Sequence, residues 1–168
     1  ISAGYNHTLL VTKDGKIYSF GSNSYGQLGR SENTLLPKEI PNLENIEKVS
    51  AGAYHSMAIG KDGSVYTWGY NGNGQLGNGT TTSNSEPSKI RLTNITKIES
   101  GEQISTAIDG DGNLYAWGYN YYGQLGNETT TNVYLPRKVL TLENIVDVAA
   151  EKETIIAVNK QGEVYASG

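Results

Sequence analysis

The sequence contains no cysteine, which excludes disulfide bonds, cysteine-ligated zinc and a thiol nucleophile. Charged residues make up only 18% of it, whereas an ordinary domain has about 25%. No apolar run approaches the roughly 18 residues of a membrane span. No signal peptide is recognisable, and the only methionine is Met57. The net charge of −4 lacks the basic excess of a general nucleic-acid binder, so neither nucleic acid nor a membrane span is predicted.

Glycine and tyrosine are abundant, and short motifs that contain glycine recur at regular intervals. Gly-Gln-Leu-Gly begins at Gly26, Gly74 and Gly123, so its copies lie 48 and 49 residues apart. An Asp-Gly pair and an aromatic-Gly pair precede each copy, and Leu-x-Asn-Ile follows each copy. This self-similarity predicts one array over residues 1–168. Its units are about 1–48, 49–97 and 98–147, followed by a partial unit, 148–168.

Each unit predicts four short strands, which the second unit shows best. Ile46–Ala51 is the first, and the alternating apolar pattern of His55–Ile59 predicts the second. The Asp-Gly pair within Lys61–Ser64 predicts a type I′ hairpin turn. Val65–Trp68 is rich in strand-forming residues, and Pro87–Ile90 suits a short strand at a sheet edge. No stretch shows a helical period.

Four antiparallel strands in every 40 to 50 residues or so are typical of a β-propeller blade. At a period of 49, the 168 residues correspond to about 3.4 units. The sequence therefore predicts an all-β partial or half propeller of four-stranded antiparallel blades. Aromatic residues at recurring positions are expected to pack blade against blade, because rings bury the most apolar area. They are Phe20, Trp68 and Trp117 in three units, and Tyr18, Tyr66, Tyr115 and Tyr165 in all four.

Three motifs that could carry chemistry are better interpreted as structure. Gly72–Gly77 matches a dinucleotide-binding pattern, but no predicted helix follows it. Residues 109–113 resemble the first residues of an EF-hand calcium loop, but the glutamate required at the twelfth position is replaced by Asn120. His7 and His55 occupy one repeat position and are interpreted as histidines hydrogen-bonded at blade junctions. The sequence thus predicts no catalytic residue, no metal site and no cofactor.

The loop after the third strand is the candidate binding site. Its asparagine recurs as Asn23, Asn71 and Asn120 and is interpreted as structural, whereas its tyrosines differ between units. Equivalent loops of successive blades emerge on one rim, and tyrosine with Asn, Ser and Gly is the composition of adaptable binding surfaces. The alternative is that the rings lie flat on adjacent loops. The predicted partner-binding residues are Tyr25, Tyr70, Tyr119, Tyr121 and Tyr122.

The repeated unit resembles that of the regulator of chromosome condensation (RCC1) family in its bacterial type. The shared elements are Ala-Gly-x-x-His-Ser, Asp-Gly-x-Val-Tyr-x-Trp-Gly and Gly-Gln-Leu-Gly-Asn, and the resemblance covers essentially the whole chain. It implies a β-propeller, usually of seven blades. It also implies nucleotide exchange on a small GTPase with chromatin binding, or inhibition of an enzyme such as a β-lactamase. The near-constant intervals leave no room for the inserted wedge that the family's founder uses in exchange.

We therefore expect a non-catalytic protein-interaction module that binds a protein partner through one loop rim. Exchange factor, chromatin-associated regulator and enzyme inhibitor are the alternatives. An array of about 3.4 blades cannot close a ring, so we also expect an excerpt of a longer propeller that packs with copies of itself. Secreted, cell-surface and cytoplasmic locations all stay open.

Overall fold

The computed structural model describes residues 1–168, and all of its regular elements are β-strands. It contains no helix with the length and apolarity needed to cross a membrane. The strands are β1 (Ser2–Ala3), β2 (His7–Val11), β3 (Ile17–Gly21), β4 (Thr34–Glu39), β5 (Ile46–Ala51), β6 (His55–Gly60), β7 (Val65–Gly69), β8 (Asn84–Lys89), β9 (Ile95–Ser100), β10 (Ile104–Asp109), β11 (Leu114–Gly118), β12 (Val133–Lys138), β13 (Ile145–Glu151), β14 (Thr154–Asn159) and β15 (Val164–Ser167).

The strands form four separate antiparallel sheets, and in each sheet the strand order follows the chain. Blade 1 contains β1 to β4, blade 2 contains β5 to β8, and blade 3 contains β9 to β12. Blade 4 has three strands, β13 to β15. The first strands of successive blades contact one another, as blades around a common axis do. The prediction of an all-β array of four-stranded propeller blades is confirmed.

The hairpin between β6 and β7 is not the predicted type I′ turn. That turn needs positive φ at both central residues, whereas only Gly63 has it, at 75°. The Gly63 N–H donates to the Gly60 carbonyl (2.9 Å), and the Gly60 N–H donates to the Ser64 carbonyl (2.9 Å). This is a three-residue hairpin loop that ends in a left-handed glycine. The Ser64 N–H also donates to the Asp62 carboxylate (3.0 Å), which lowers the pKa of Asp62.

The strand bounds of blade 2 match the prediction except at the outer strand. The first three strands agree to within one residue, but β8 begins at Asn84 rather than at Pro87. Its early start reflects a register shift, after which Asn84 pairs with Gly69. Because β8 is an edge strand, the missing N–H of Pro87 breaks no ladder to a further strand.

Each tryptophan is completely buried between its own blade and the preceding one. The Trp68 indole N–H donates to the Gln27 carbonyl at 2.9 Å. The Trp117 indole makes the same bond to the Gln75 carbonyl at 2.9 Å. Glycine is required at Gly77, because a Cβ there would lie 2.6 Å from Trp117 Nε1. Packing of the tryptophans between blades is confirmed, and Gly-Gln-Leu-Gly is the segment that receives them.

The other recurring aromatic residues are only half-buried. Phe20 belongs to blade 1, which no blade precedes in the structure, and Tyr18 directs its hydroxyl towards Glu39 at 3.4 Å. Three further tyrosines place part of the ring against the apolar cores between blades. They are Tyr66, Tyr115 and Tyr165.

Two histidines connect neighbouring blades through serine. His7 Nε2 lies 2.9 Å from Ser56 Oγ, and His55 Nε2 lies 2.9 Å from Ser105 Oγ in the next blade. The Ser56 hydroxyl donates to the Gln27 carbonyl at 2.9 Å. Since that proton is already committed, Nε2 of His7 is the donor. Burial lowers the pKa of both histidines, so the rings are neutral at pH 7. The predicted histidine hydrogen bonds at blade junctions are confirmed.

The third junction replaces both partners of this pair. Ile104 takes the histidine position in blade 3, and Ile155 takes the serine position in blade 4. Both are buried in the larger apolar core. Ser167 stands at the tryptophan position, and its hydroxyl donates to the Gln124 carbonyl (2.7 Å). The carbonyl of the repeated tetrapeptide therefore has a donor here as well.

The Asp-Gly and Leu-x-Asn-Ile motifs meet at the end of the blades opposite to the Gly-Gln-Leu-Gly segments. The Ile46 N–H donates to the Gly15 carbonyl (3.0 Å), and the Ile145 N–H donates to the Gly112 carbonyl (2.9 Å). Asn45, directly before Ile46, adopts a left-handed conformation with φ of 58°. The motifs that recur in the sequence are thus largely those that join one blade to the next.

Candidate functional site

The loops of the candidate site all emerge at one end of the blades. In an antiparallel meander, the connections from first to second strand and from third to fourth leave at the same end. The hairpins between second and third strands lie at the other end. We call the first of these ends the loop face. It consists of residues 4–6 and 22–33 in blade 1, 52–54 and 70–83 in blade 2, 101–103 and 119–132 in blade 3, and 152–153 in blade 4.

An asparagine organises each long loop of the loop face; Asn71 and Asn120 are buried, and Asn23 is half-buried. Asn120 Nδ2 donates to the carbonyls of Thr129 (2.9 Å) and Thr131 (3.0 Å). Its Oδ1 accepts from the Leu125 N–H (3.0 Å). Related bonds form in the other two long loops. The structural interpretation is confirmed for Asn23, Asn71 and Asn120.

Asn120→Asp is expected to lower the free energy of unfolding by about 2–4 kcal/mol. The change places a carboxylate oxygen against the carbonyls of Thr129 and Thr131, at a residue with no exposed surface. Urea unfolding measures the effect, and Asn33→Asp is the control because Asn33 is exposed. Equal stability of the two variants would contradict this account of the loop.

The motifs interpreted as turns in the sequence are turns in the structure. Within Gly72–Gly77, the Gly74 N–H donates to the Asn71 carbonyl (2.9 Å), and a strand rather than a helix follows. In the hairpin of residues 109–113, the Asp109 carboxylate accepts from two backbone N–H groups of the same segment. No group of three or more His, Cys, Asp or Glu side chains is placed to hold a metal ion.

Four tyrosines of blades 1 and 2 form a continuous series of ring contacts. The ring centroids of Tyr5 and Tyr54 lie 5.6 Å apart, and those of Tyr54 and Tyr25 lie 5.2 Å apart. Tyr25 also meets Tyr70 edge to face at 5.0 Å. Tyr5 is 50% exposed and Tyr25 is 44% exposed, whereas the Tyr70 ring folds over Gly72 of its own loop.

Three tyrosines of blade 3 form a second group. Tyr121 and Tyr122 meet edge to face with centroids 5.2 Å apart, and Tyr119 contacts both. Tyr121 is 66% exposed and Tyr122 is 53% exposed. The Asn132 amide donates to Asn73 Oδ1 (3.1 Å), which joins the long loops of blades 2 and 3. The five predicted residues thus lie in two groups on one face. We call the whole set the tyrosine rim: Tyr5, Tyr25, Tyr54, Tyr70, Tyr119, Tyr121 and Tyr122.

Glutamates of blades 3 and 4 lie beside the tyrosine rim. The neighbouring Glu102 is the main cause of a raised pKa of the Tyr5 hydroxyl, and the charge of Glu151 adds to it. Burial is the main cause of a raised pKa of Tyr119. The neighbouring Tyr122 raises this pKa further, and the charge of Glu153 adds a smaller increase. The rim therefore lies in a locally negative field.

Sequence reasoning missed Tyr5, Tyr54 and the adjacent glutamates. It compared equivalent positions of the units, and these two tyrosines are not equivalent, since Ala53 takes the position of Tyr5. The available signal was their place in the first-to-second connection, where each comes one or two residues before a recurring histidine. That connection lies on the same face as the long loops.

One known protein family matches the chain over the chain's whole length. The sequence profile of the RCC1-like domain matches residues 1–168. Rat alsin (Rattus norvegicus) is 40% identical over 50 residues, which is 30% of this chain and 3% of alsin. Mouse alsin (Mus musculus) is 41% identical over 46 residues, or 27% of this chain and 3% of the mouse protein.

Solved structures share the fold over nearly the whole chain. Yeast RCC1 (Prp20), in its complex with Kap60, superposes with a TM-score of 0.88 at 25% identity, covering 97% of this chain and 42% of that one. Prp20p from Saccharomyces cerevisiae, whose structure was described with its binding properties to Gsp1p and histones, superposes with a TM-score of 0.88 at 25% sequence identity. The match covers 97% of this chain and 43% of Prp20p. Human WBSCR16 superposes with a TM-score of 0.88 at 27% sequence identity, covering 98% of this chain and 45% of that one. The chain spans less than half of these solved chains.

Proposed function

Because the chain belongs to the RCC1-like domain family, we propose that it is a non-catalytic protein-interaction module whose contact surface is the tyrosine rim. The observation that carries the proposal is the clustering of seven tyrosines on one face, four of them at least 44% exposed. Tyrosine presents a large amphipathic surface and loses little side-chain entropy on binding, because it has two χ angles.

The supporting loops are held by internal hydrogen bonds and ring contacts, which favours binding without reorganisation. Buried asparagines tie the long loops together, and the tyrosine rings brace one another edge to face. A surface that is already ordered does not pay the ordering cost when a partner binds.

The solved neighbours also support a protein partner. Yeast RCC1 was solved in complex with the protein Kap60, and Prp20p was characterised for binding to Gsp1p and histones. Those partners belong to those proteins, and only the class of ligand is carried over. The His7–Ser56 and His55–Ser105 pairs offer no competing catalytic centre, since all four residues are buried.

The double variant Tyr121→Ala/Tyr122→Ala is expected to weaken partner binding about ten-fold or more, as loss of aromatic anchors does. The partner is first captured with immobilised protein and purified, and its affinity is then measured by calorimetry. Leu140→Ala is the control, because Leu140 is 82% exposed but lies in a connection at the opposite end of the blades. Unchanged affinity of the tyrosine variant would overturn the proposed contact surface.

Guanine-nucleotide exchange is the second candidate, favoured by the RCC1 relationship itself. Release of labelled GDP from a panel of small GTPases tests it directly. If the chain accelerates GDP release, its proposed function is that of an exchange factor rather than of an interaction module alone.

A further inference from the structure

We infer that the tyrosine rim takes an extended, lysine- or arginine-bearing segment of its protein partner. This inference rests on the proposed function and specifies the chemistry of the partner. It is drawn from three features of the loop face: exposed rings, carboxylates without ion-pair partners, and a near absence of competing cations.

The rings are held in place while part of their surface stays open. Tyr5 and Tyr25 are each half exposed, yet both contact Tyr54, which fixes their orientation. A cation over the face of such a ring is attracted by its quadrupole, and arginine stacks on it particularly well. A preformed row of rings suits successive cationic side chains of an extended segment.

The carboxylates beside the rings are not neutralised within the chain. One glutamate of the loop face, Glu32, forms a salt bridge with Lys38 of β4, whereas no salt bridge includes Glu102, Glu151 or Glu153. Glu102 and Glu153 lie in first-to-second-strand connections of the loop face, and their charges help to raise the pKa values of Tyr5 and Tyr119. Each group of rings therefore has a carboxylate next to it, which is the arrangement that attracts a cationic side chain from two sides.

The loop face has few cations of its own to compete for these groups. Its loops contain four glutamates but only two cationic side chains, Arg30 and Lys152. Arg30 is buried, and its guanidinium donates to backbone carbonyls, including that of Lys38 at 2.9 Å. Lys152 is thus the one exposed cation among these loops. The connections at the opposite end are nearly balanced, with five cations, Lys13, Lys16, Lys61, Arg91 and Lys160, against six acidic residues, Asp14, Glu44, Asp62, Asp111, Glu143 and Glu163.

The charge distribution also decides against other occupants. A phosphate backbone or an acidic protein surface would meet the unpaired glutamates and be repelled. A neutral apolar partner would use the rings but leave the carboxylates desolvated without a counter-charge, which costs binding energy. A basic segment satisfies both features at once.

The test is an NMR titration of the isotopically labelled chain with an unstructured Gly/Arg repeat peptide. Gly/Gln and Gly/Glu repeats of the same length are titrated in parallel. We expect saturable shifts at the tyrosine rim with the Gly/Arg peptide alone, weakening as salt is raised. Glu102→Gln/Glu153→Gln should weaken binding about three- to ten-fold. The matched control is Glu44→Gln/Glu143→Gln, which removes the same charge from the opposite end and should leave the affinity unchanged.

Several outcomes would overturn the inference. They are equal binding of the Gly/Gln peptide, shifts centred on the opposite end, and equal weakening by the two double variants, which would reduce the effect to net charge. The result is separable from the proposed function. If the purified partner loses affinity for Tyr121→Ala/Tyr122→Ala but not for Glu102→Gln/Glu153→Gln, the contact surface stands and its basic ligand is wrong. If the Gly/Arg peptide binds while the tyrosine variant keeps full affinity for the purified partner, the proposed contact surface fails instead.

Discussion

Trp117→Ala is expected to lower the free energy of unfolding by about 3–5 kcal/mol, the range for removing a fully buried large ring. Trp117 has no exposed surface and fills the space between blades 2 and 3. Its loss leaves a cavity and also deprives the Gln75 carbonyl of the indole donor at 2.9 Å. Chemical denaturation followed by circular dichroism measures the change.

Two further variants show whether the loss of stability depends on the size of the removed side chain and on its burial. Trp117→Phe keeps most of the ring but removes the indole N–H, so it should lose less stability than Trp117→Ala. Tyr121→Ala removes a ring that is 66% exposed and should change stability by less than about 1 kcal/mol. A Trp117→Ala protein as stable as the Tyr121→Ala protein would show that the blades are not held together by this ring.

Acidification from pH 7 to pH 5 is expected to destabilise the chain by about 4 kcal/mol, or about 2 kcal/mol for each histidine. Burial lowers the pKa of His7 to about 4 and that of His55 to about 3, from an ordinary 6.5. The unfolded chain therefore binds protons below pH 6.5 while the folded chain does not. Stability is full above that pH and falls until the folded pKa values are reached. Nδ1 of each ring has no hydrogen-bond partner, so the added proton would find no acceptor.

The third junction supplies a matched variant for this experiment. His55→Ile/Ser105→Ile copies the Ile104 and Ile155 pair and should reduce the pH dependence by about half, because one of the two titrating groups is gone. Urea midpoints at pH 7, 6 and 5 measure it in both proteins. Glu99, whose pKa is raised by burial, is present in both and therefore cancels in the comparison. An unchanged pH dependence in this variant would assign the acid sensitivity to other groups.

The fold was predictable because each unit repeats both its strand pattern and its contacts. Met57 and Ile59 alternate with Ser56 and Ala58 as the period of a strand requires, although the strand is buried on both faces rather than half-buried. The recurrence of Trp68 and Trp117 signalled a shared environment. What could not be predicted were features set by pairing between strands. The early start of β8 depends on a register shift opposite Gly69, and the turn type depends on Asp62 keeping a negative φ.

The candidate site was predictable only where the units differ from one another in equivalent loops. That comparison identified Tyr25, Tyr70 and the blade 3 tyrosines but not Tyr5 and Tyr54, which reach the same face from another connection. Ring-to-ring contacts across blades depend on side-chain placement in three dimensions. A single sequence gives the face on which a loop lies but not the neighbours of its side chains.

The paired replacements at the third junction affect how such an array can grow by gene duplication. Adjacent residues of one strand serve opposite neighbours: His55 meets the blade after it, and Ser56 meets the blade before it. A tandem copy of blade 2 would therefore place its own histidine against its own serine and fit at once. A tandem copy of blade 3 would place Ile104 against Ser105, leaving the serine without its histidine. Duplication of blade 2 keeps a histidine opposite every serine, whereas duplication of blade 3 keeps that pairing only if a compensating mutation follows.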